Sequence, residues 1–265
     1  MIYNEIAKVI SNNEIAENIY EAVLFSPKIS HESKPGQFIN ILPSKDWGKV
    51  MRRPMSIASQ NDGKISMIYK IFGEGTLIMS QWLIDETVDI IGPLGNSWRN
   101  YENKIPILIG GGVGIAPIMN FHNMLNELSI KHYLIMGART KKEHFMKHNV
   151  NENIFLCTDN ENYGIKGNII VGLEQILTNN SNNDIKIFAC GPSNMMRAVA
   201  DYSLNYKIDC NLALETIMAC GIGICQGCTV VKSSASGKNT YREKYALACI
   251  DGPIFNIKDL QYDFI

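Results

Sequence analysis

Three cysteines fall within nine residues in ETIMACGIGICQGCTVV: Cys220, Cys225 and Cys228, with glycines at 221, 223 and 227 between them. A fourth, Cys249, stands in YALACIDGP, so the set reads C-x4-C-x2-C-x20-C. Plant-type [2Fe–2S] clusters use this spacing, three thiolates from one loop and a fourth from a distance. Such a loop must turn tightly, and glycine permits positive φ and close approach of backbone N–H groups to sulfur. Those N–H groups offset the negative charge of a thiolate-ligated cluster. Structural zinc is the competing chemistry, but it prefers paired C-x2-C knuckles, and only Cys225 and Cys228 form one. The pattern favours [2Fe–2S], with zinc and unligated core thiols as the alternatives.

Three further motifs could bind organic cofactors. In RRPMSIAS, residues 52–59, Arg53 could pair with a diphosphate and Ser56 could hydrogen-bond a flavin ring or ribityl chain. The plain alternative is a strand-edge arginine beside an ordinary turn. Gly75 and Thr76 open TLIMSQWLI, which reads as a short helix with Thr76 as N-cap, a terminus that favours phosphate. GGGVGIAPIM fits the frame Gly112-x-Gly114-x-x-Pro117, with Pro117 in the first helical turn. It is either a dinucleotide turn or a simple strand-to-helix connection. Cys190-Gly191-Pro192 ends an apolar strand, where open α/β sheets bind ligands. Cys190 could lie beside a nicotinamide, or be a buried small residue.

Cys157 and Cys210 read as core thiols. His144 and His148, spaced i, i+4 in the Lys-flanked EHFMKH, read as a solvated face rather than a metal pair. Arg139 in GARTKK leaves recognition of a 2′-phosphate, and so NADP, open.

The elements that must position these residues change grammar along the chain. Over residues 1–102, NIYEAVLF, GQFINILP and TVDIIGPLG read as strands, and SPKISHESKPG as turn-forming. KISMIYKIFGEGT places Ile65, Met67, Tyr69 and Ile71 on one face at period two. Many short strands with one helix predict a closed or nearly closed antiparallel β-barrel. Over 103–208, IPILIGG, KHYLIMGA, NIFLCTD and DIKIFACG are apolar strands. A helix is expected over APIMNFHNMLNEL, with helical candidates after KHYLIMGA and DIKIFACG. That alternation predicts a doubly wound parallel sheet. Residues 209–265 form a small C-terminal lobe with the cysteines and a turn-like KSSASGKNT.

The chain has 265 residues, 46% hydrophobic and 19% charged, with a formal charge of −1. This composition gives no reason to expect nucleic acid or an anionic membrane as partner. Glu5 and Glu14 interrupt any secretory apolar run, and IPILIGGGVGIAPIMNF is too short and too rich in Gly and Pro to span a membrane. A cytoplasmic protein with reduced thiols is expected, so seven cysteines suggest metal or redox chemistry over disulfides.

The order Arg-Pro-x-Ser, Gly-x-Gly-Thr, Gly-x-Gly-x-x-Pro, Cys-Gly-Pro resembles the ferredoxin–NADP⁺ reductase superfamily. With LETIMACGIGICQGC and the later cysteine, the whole chain resembles the electron-transfer subunits of dihydroorotate dehydrogenase B. The resemblance implies FAD on the barrel, NAD in the α/β domain and [2Fe–2S] in the C-terminal lobe. It implies an FMN-containing catalytic partner that oxidises dihydroorotate for pyrimidine biosynthesis, in a heterotetramer of two of each chain. Carried over by position, Arg53, Pro54, Met55, Ser56, Ile68, Tyr69, Lys70, Gly75 and Thr76 would contact FAD. Gly112, Gly114, Pro117, Gly191 and Pro192 would face NAD, and Cys220, Cys225, Cys228 and Cys249 would ligate the cluster. Met55 departs from the wider superfamily, which often has a stacking Tyr there. The rival within the superfamily is a flavin subunit of a bifurcating ferredoxin:NADP⁺ oxidoreductase, sulfhydrogenase or sulfite reductase. The bifurcating type replaces one cluster thiolate by Asp, and four cysteines argue against it.

Overall fold

The computed structural model describes residues 1–46, 48, 51–178, 180, 184–233 and 240–261. Its first part contains β1 (Tyr3–Ala16), β2 (Ile19–Phe25), α1 (Pro27–Glu32), β3 (Phe38–Ile41), β4 (Arg53–Ser56), β5 (Ser59–Asn61), β6 (Lys64–Lys70), α2 (Glu74–Met79) and β7 (Thr87–Leu94). The strands make one antiparallel sheet in the order β4-β3-β7-β1-β2-β6-β5. It curls until its ends approach, where Ala58 N–H, between β4 and β5, donates to the Ser66 carbonyl on β6 at 2.7 Å. Val9, Leu24, Ile39, Ile41, Ile65 and Met67 fill the interior.

Local chemistry explains where this half departs from the sequence reading. The expected turn over 26–36 contains α1, because Pro27 opens it with a φ already suited to a helix. Helix α2 stops at Met79 instead of running to Ile84, and its N-cap is Gly73. Thr76 sits at N3, its hydroxyl accepting from the Phe72 and Gly73 N–H groups at 2.9 and 3.2 Å. Strand β6 ends at Lys70, so Ile71 lies beyond it, and β6 is buried on both faces. Its outward Ile68 packs with Ala116, Met119 and Phe145 of the second half.

The second half contains β8 (Ile105–Gly111), α3 (Ile115–Glu127), β9 (Tyr133–Ala138), β10 (Ile154–Thr158), β11 (Ile165–Lys166), α4 (Ile169–Thr178), β12 (Ile185–Cys190), α5 (Ser193–Asn205) and β13 (Asp209–Ala213). The remainder adds β14 (Thr229–Val231), α6 (Tyr241–Lys244), β15 (Tyr245–Leu247) and β16 (Ile254–Asn256). The second sheet runs β11-β10-β9-β8-β12-β13-β16, parallel except for β16. Strand order reverses between β8 and β12, the crevice where doubly wound sheets take ligands. Ile107, Ile109, Ile187 and Ala189 face α4 and α5, whereas Leu108 and Phe188 face α3. The nearly unbroken apolar runs of β8, β9 and β10 therefore reflect a sheet covered on both sides.

The connection after β9 holds two single 3₁₀ turns, Lys141–Glu143 and Val150–Glu152, instead of the expected helix. The helix comes after β11, as α4. Strand β13 lies beyond the expected 208/209 boundary yet pairs with β12, and β16 pairs with β13. The C-terminal segment thus leaves the sheet, forms the cysteine lobe and returns to the sheet edge. In the turn-like KSSASGKNT, residues 234–239 lie outside the described residues.

Candidate functional site: four thiols beside a flavin-type barrel

The twenty residues between Cys228 and Cys249 are closed by a strand pair. Cys228 immediately precedes β14, Cys249 follows β15 by one residue, and Thr229 pairs with Leu247. Ala248 N–H donates to the Cys228 carbonyl at 2.9 Å, which brings the two cysteines side by side. Both are buried, Cys220 is half-buried and Cys225 exposed. The loop between turns through Gly221 and Gly223 at φ +72° and +83°, a region costly for any residue with a Cβ. Gly227 is not at positive φ, so only two of the three glycines there are conformationally required.

Amide groups converge on the sulfurs. Ile222 and Cys225 N–H point at Cys220 Sγ at 3.5 and 3.4 Å, and Gly227 N–H at Cys225 Sγ at 3.4 Å. Burial opposes ionisation of Cys220, but the amides of Cys225 and Ile222 outweigh it and bring the thiol down to about 7. Cys249 is pushed up to about 12 by burial and by the adjoining Cys228 thiol, against the Gly223 N–H. Backbone geometry sets Cys225 beside Cys220 and Cys228 beside Cys249, and Cys249 also feels the Cys220 thiol. Two pairs with amide donors fit a two-iron cluster, which divides four thiolates between its metals. Among the described residues no group of three or more His, Cys, Asp or Glu side chains is disposed to hold a single metal ion.

The lobe is bonded directly to the barrel. Asn40 on β3 is fully buried, and its Nδ2 donates to the Cys220 carbonyl at 3.1 Å. Across β3–β4, Asn40 is the register partner of Pro54. Cys220 is therefore one side chain away from the strand carrying Arg53, Pro54, Met55 and Ser56. Beyond Cys249, the Asn96 side chain donates to the Asp251 and Ile254 carbonyls, both at 2.9 Å.

The four residues of β4 are all half-buried. Arg53 lies against the start of α2: a Cβ at Gly75 would meet Arg53 Nε at 3.2 Å and Cγ at 3.4 Å. A guanidinium against the first turn of a helix, where a side chain at position 75 would press on it, fits a diphosphate. The Tyr69 side chain turns inward, its hydroxyl donating to Asn12 Oδ1 at 2.8 Å, so its contribution at this edge is main chain. Lys70, at the end of β6, binds Glu143 Oε1 at 2.7 Å across to the α/β domain.

A cavity of about 590 Å³ opens at the C-terminal ends of the parallel strands, lined by Gly112, Arg139, Asp159, Asn168, Pro192 and, from the barrel, Lys70. Gly112 takes φ +54°. A Cβ at Gly114 would stand 2.6 Å from the Cys190 carbonyl and Gly191 Cα, so the glycine turn lies directly on the end of β12. Pro117 falls in the first turn of α3, and its carbonyl accepts from Trp98 Nε1 at 3.2 Å. Cys190 is buried, and burial followed by the Glu215 carboxylate pushes its thiol up. Glu215 is exposed, yet partial loss of hydration raises its own pKa.

Cys157 and Cys210 are buried core thiols, each pushed up to about 12 by burial. His144 and His148 do not form a solvated helical face. His144 Nε2 lies 3.0 Å from Thr158 Oγ1, and His148 Nδ1 accepts from Leu156 N–H at 3.1 Å. Sequence reasoning missed Asn40, Glu143 and Glu215. Asn40 left a signal, a lone amide within the otherwise apolar FINI. Glu143 left only its i, i+4 spacing from Arg139, since Lys70 is distant in sequence, and Glu215 left none, since Cys190 is distant too.

Comparison with known proteins agrees with this geometry. Residues 215–261 match the iron-sulfur cluster binding domain of dihydroorotate dehydrogenase B, and residues 108–201 match an oxidoreductase NAD-binding domain. The dihydroorotate dehydrogenase B (NAD(+)) electron transfer subunit of Bacillus pumilus is 30% identical over 95% of this chain and 96% of its own. The subunit of the same name from Streptococcus pneumoniae is 32% identical over 96% and 97%. A solved NADH-dependent reduced ferredoxin-NADP oxidoreductase superposes with a TM-score of 0.83 at 27% identity, covering 98% of this chain and 91% of that one. A ferredoxin reductase of carbazole 1,9a-dioxygenase, at 19% identity and a TM-score of 0.65, shares the fold over 78% and 67%. The two curated subunits thus match this chain over nearly its whole length and nearly the whole of their own, and the chain belongs to the family of dihydroorotate dehydrogenase B electron transfer subunits.

Proposed function

We propose that this chain carries electrons from a catalytic dihydroorotate dehydrogenase subunit to NAD⁺, using a [2Fe–2S] cluster and FAD. The observation that carries the reading is the grouping of Cys220, Cys225, Cys228 and Cys249 in one lobe, with backbone amides aimed at sulfur, joined through Asn40 to the strand pair that bears Arg53 and Ser56. When bound, the cluster passes single electrons and FAD exchanges them for a hydride on NAD. The protein's part is to hold these groups in order and keep water from the path.

The four cysteines would hold the cluster, with the Ile222, Cys225, Gly223 and Gly227 amides stabilising charge on sulfur. Arg53 and the N–H groups around Gly75 and Thr76 would take the FAD diphosphate. Pro54, Met55, Ser56, Ile68 and the Tyr69 main chain would line the flavin, and Lys70 would stand at its boundary with NAD. Gly112 and Pro192 would line the nucleotide cavity, with Gly114, Pro117 and Gly191 forming the turn and strand end behind them, while Cys190 and Glu215 lie outside its lining.

The lobe surface supports an outward contact. Ile217 and Ile224 are 79% and 76% exposed, with Ile222 and Ile250 nearby. Apolar side chains displayed around a redox centre fit a docking face for the FMN-containing partner, in a heterotetramer of two of each chain. No helix among the described residues is long and apolar enough to cross a membrane, which is consistent with the cytoplasmic setting of the reading. The test is co-expression with that partner, followed by sedimentation analysis and cofactor analysis. A complex of two plus two holding both FMN and FAD, and broken by Ile224→Glu, is expected. Assembly that is indifferent to Ile224→Glu would refute the docking face, and failure to assemble would refute the reading.

A further inference from the structure

The nucleotide cavity holds two cations and two carboxylates whose pairing bears on which dinucleotide it accepts. Arg139 stands at the end of β9, the strand after the glycine turn, where an arginine in a dinucleotide fold commonly meets a 2′-phosphate. Read from sequence, it leaves NADP open. The structure gives that arginine a partner. Glu143 Oε1 accepts from Arg139 Nη2 at 3.2 Å and from Lys70 Nζ at 2.7 Å, and Oε2 accepts from Arg139 N–H at 3.0 Å. The Glu143 side chain is only 13% exposed, so it holds both cations from within the protein.

The remaining charges complete the picture. Lys142, next to this hub, bonds Glu17 at 3.2 Å, and Lys141 Nζ lies over the Tyr163 ring at 5.1 Å. Both lysines of the segment are thus engaged away from the cavity. Asp159, exposed at the end of β10, lines the same cavity, and the described residues place no cation in an ion pair with it. Lys70, Arg139, Glu143 and Asp159 sum to zero charge. A phosphomonoester adds nearly two negative charges beside a carboxylate, where the cations lining the cavity, Lys70 and Arg139, are already paired with Glu143.

We propose that Glu143 makes this site selective for NAD(H) over NADP(H), by sequestering Arg139 and Lys70 while Asp159 repels a 2′-phosphate. Glu143 therefore acts as a specificity residue through the cations it holds, excluding the wrong dinucleotide instead of attracting the right one. The inference rests on the reading of this cavity as the dinucleotide site.

The test is calorimetric binding of NAD⁺ and NADP⁺ to the full chain carrying FAD and its cluster, for the wild type, Glu143→Gln, Asp159→Asn and the double variant. Wild type is expected to bind NAD⁺ and to bind NADP⁺ at least about tenfold more weakly. Glu143→Gln should tighten NADP⁺ by about tenfold, with NAD⁺ moved less than about threefold, and the gain should shrink as salt rises. Asp159→Asn removes an exposed carboxylate that makes no ion pair, so it tests the same repulsion without risk to the fold. A wild type that binds neither nucleotide overturns the reading of the cavity and the proposal with it. A wild type that prefers NADP⁺, or one that binds NAD⁺ while neither substitution changes the NADP⁺/NAD⁺ ratio, overturns the proposal alone.

Discussion

Replacing Gly221 by alanine tests how the cysteine loop is held. Alanine at φ +72° costs roughly 1–2 kcal/mol in backbone strain. Its Cβ would also fall 2.2 Å from Asn40 Nδ2, 3.0 Å from Asn40 Cγ and 3.2 Å from Leu94 Cδ1. Asn40 is fully buried and cannot swing aside, so overpacking adds roughly 1–3 kcal/mol. Displacing it breaks the bond to the Cys220 carbonyl, worth about 1 kcal/mol more. The loop as a whole is destabilised by roughly 4 kcal/mol on these values, close to a thousandfold in its opening equilibrium. The assay is release of iron to a chelator, followed by visible absorbance, with flavin content reporting on the rest of the fold. Gly227→Ala is the control, since its Cβ would meet nothing nearer than Cys225 Sγ at 3.6 Å and its φ is ordinary. Fast iron loss in Gly221→Ala with near-normal behaviour in Gly227→Ala is expected. Equal retention in both, or equal loss in both, would refute the argument.

Three other outcomes follow from single observations. Thr76→Ala removes the hydroxyl that accepts from Phe72 and Gly73 N–H, so α2 should fray at a cost of about 1 kcal/mol and FAD should bind several-fold more weakly by fluorescence titration. His132 Nδ1 donates to the Ile130 carbonyl, which leaves its Nε2 to accept from His122 Nδ1 at 2.8 Å, while Asn126 donates to His122 Nε2. Burial, then the His132 partner, lowers His122 from 6.5 to about 4, so the folded state resists a proton that the unfolded chain accepts. Stability from this group is complete above pH 6.5 and is lost as pH falls toward 4, by about 3 kcal/mol in all, a slope in denaturant titrations that His122→Gln should flatten. Leu173→Ala, at a fully buried position between α4 and the sheet, should lower stability by roughly 3 kcal/mol in thermal unfolding.

Much of this molecule is legible in its sequence where the information is local. The cysteine spacing announces the cluster, and unbroken apolar strands followed by glycine turns announce a covered parallel sheet. What escapes is what depends on partners far along the chain. Nothing in residues 229–247 alone shows that β14 and β15 pair to bring Cys228 beside Cys249. The segment after β9 looks helical, but it is fastened to the barrel instead, through Glu17 N–H to the Lys142 carbonyl and through Lys70 to Glu143. Arg139 leaves NADP open in the sequence until Glu143, four residues on but also held by the distant Lys70, is seen against it. Thr76 resembles an N-cap because its hydroxyl does bind the end of the helix, though it does so from N3. Tyr69 matches a flavin-contact position by order in the chain, while alternation along β6 turns its ring into the barrel.

The most direct measurement is NADH formation driven by dihydroorotate, with this chain assembled on the FMN-containing catalytic subunit. The account predicts NAD⁺ reduction that requires both chains and disappears in Cys225→Ser, even though that variant keeps its FAD. Undiminished NAD⁺ reduction by Cys225→Ser, or by the catalytic subunit alone, would contradict it.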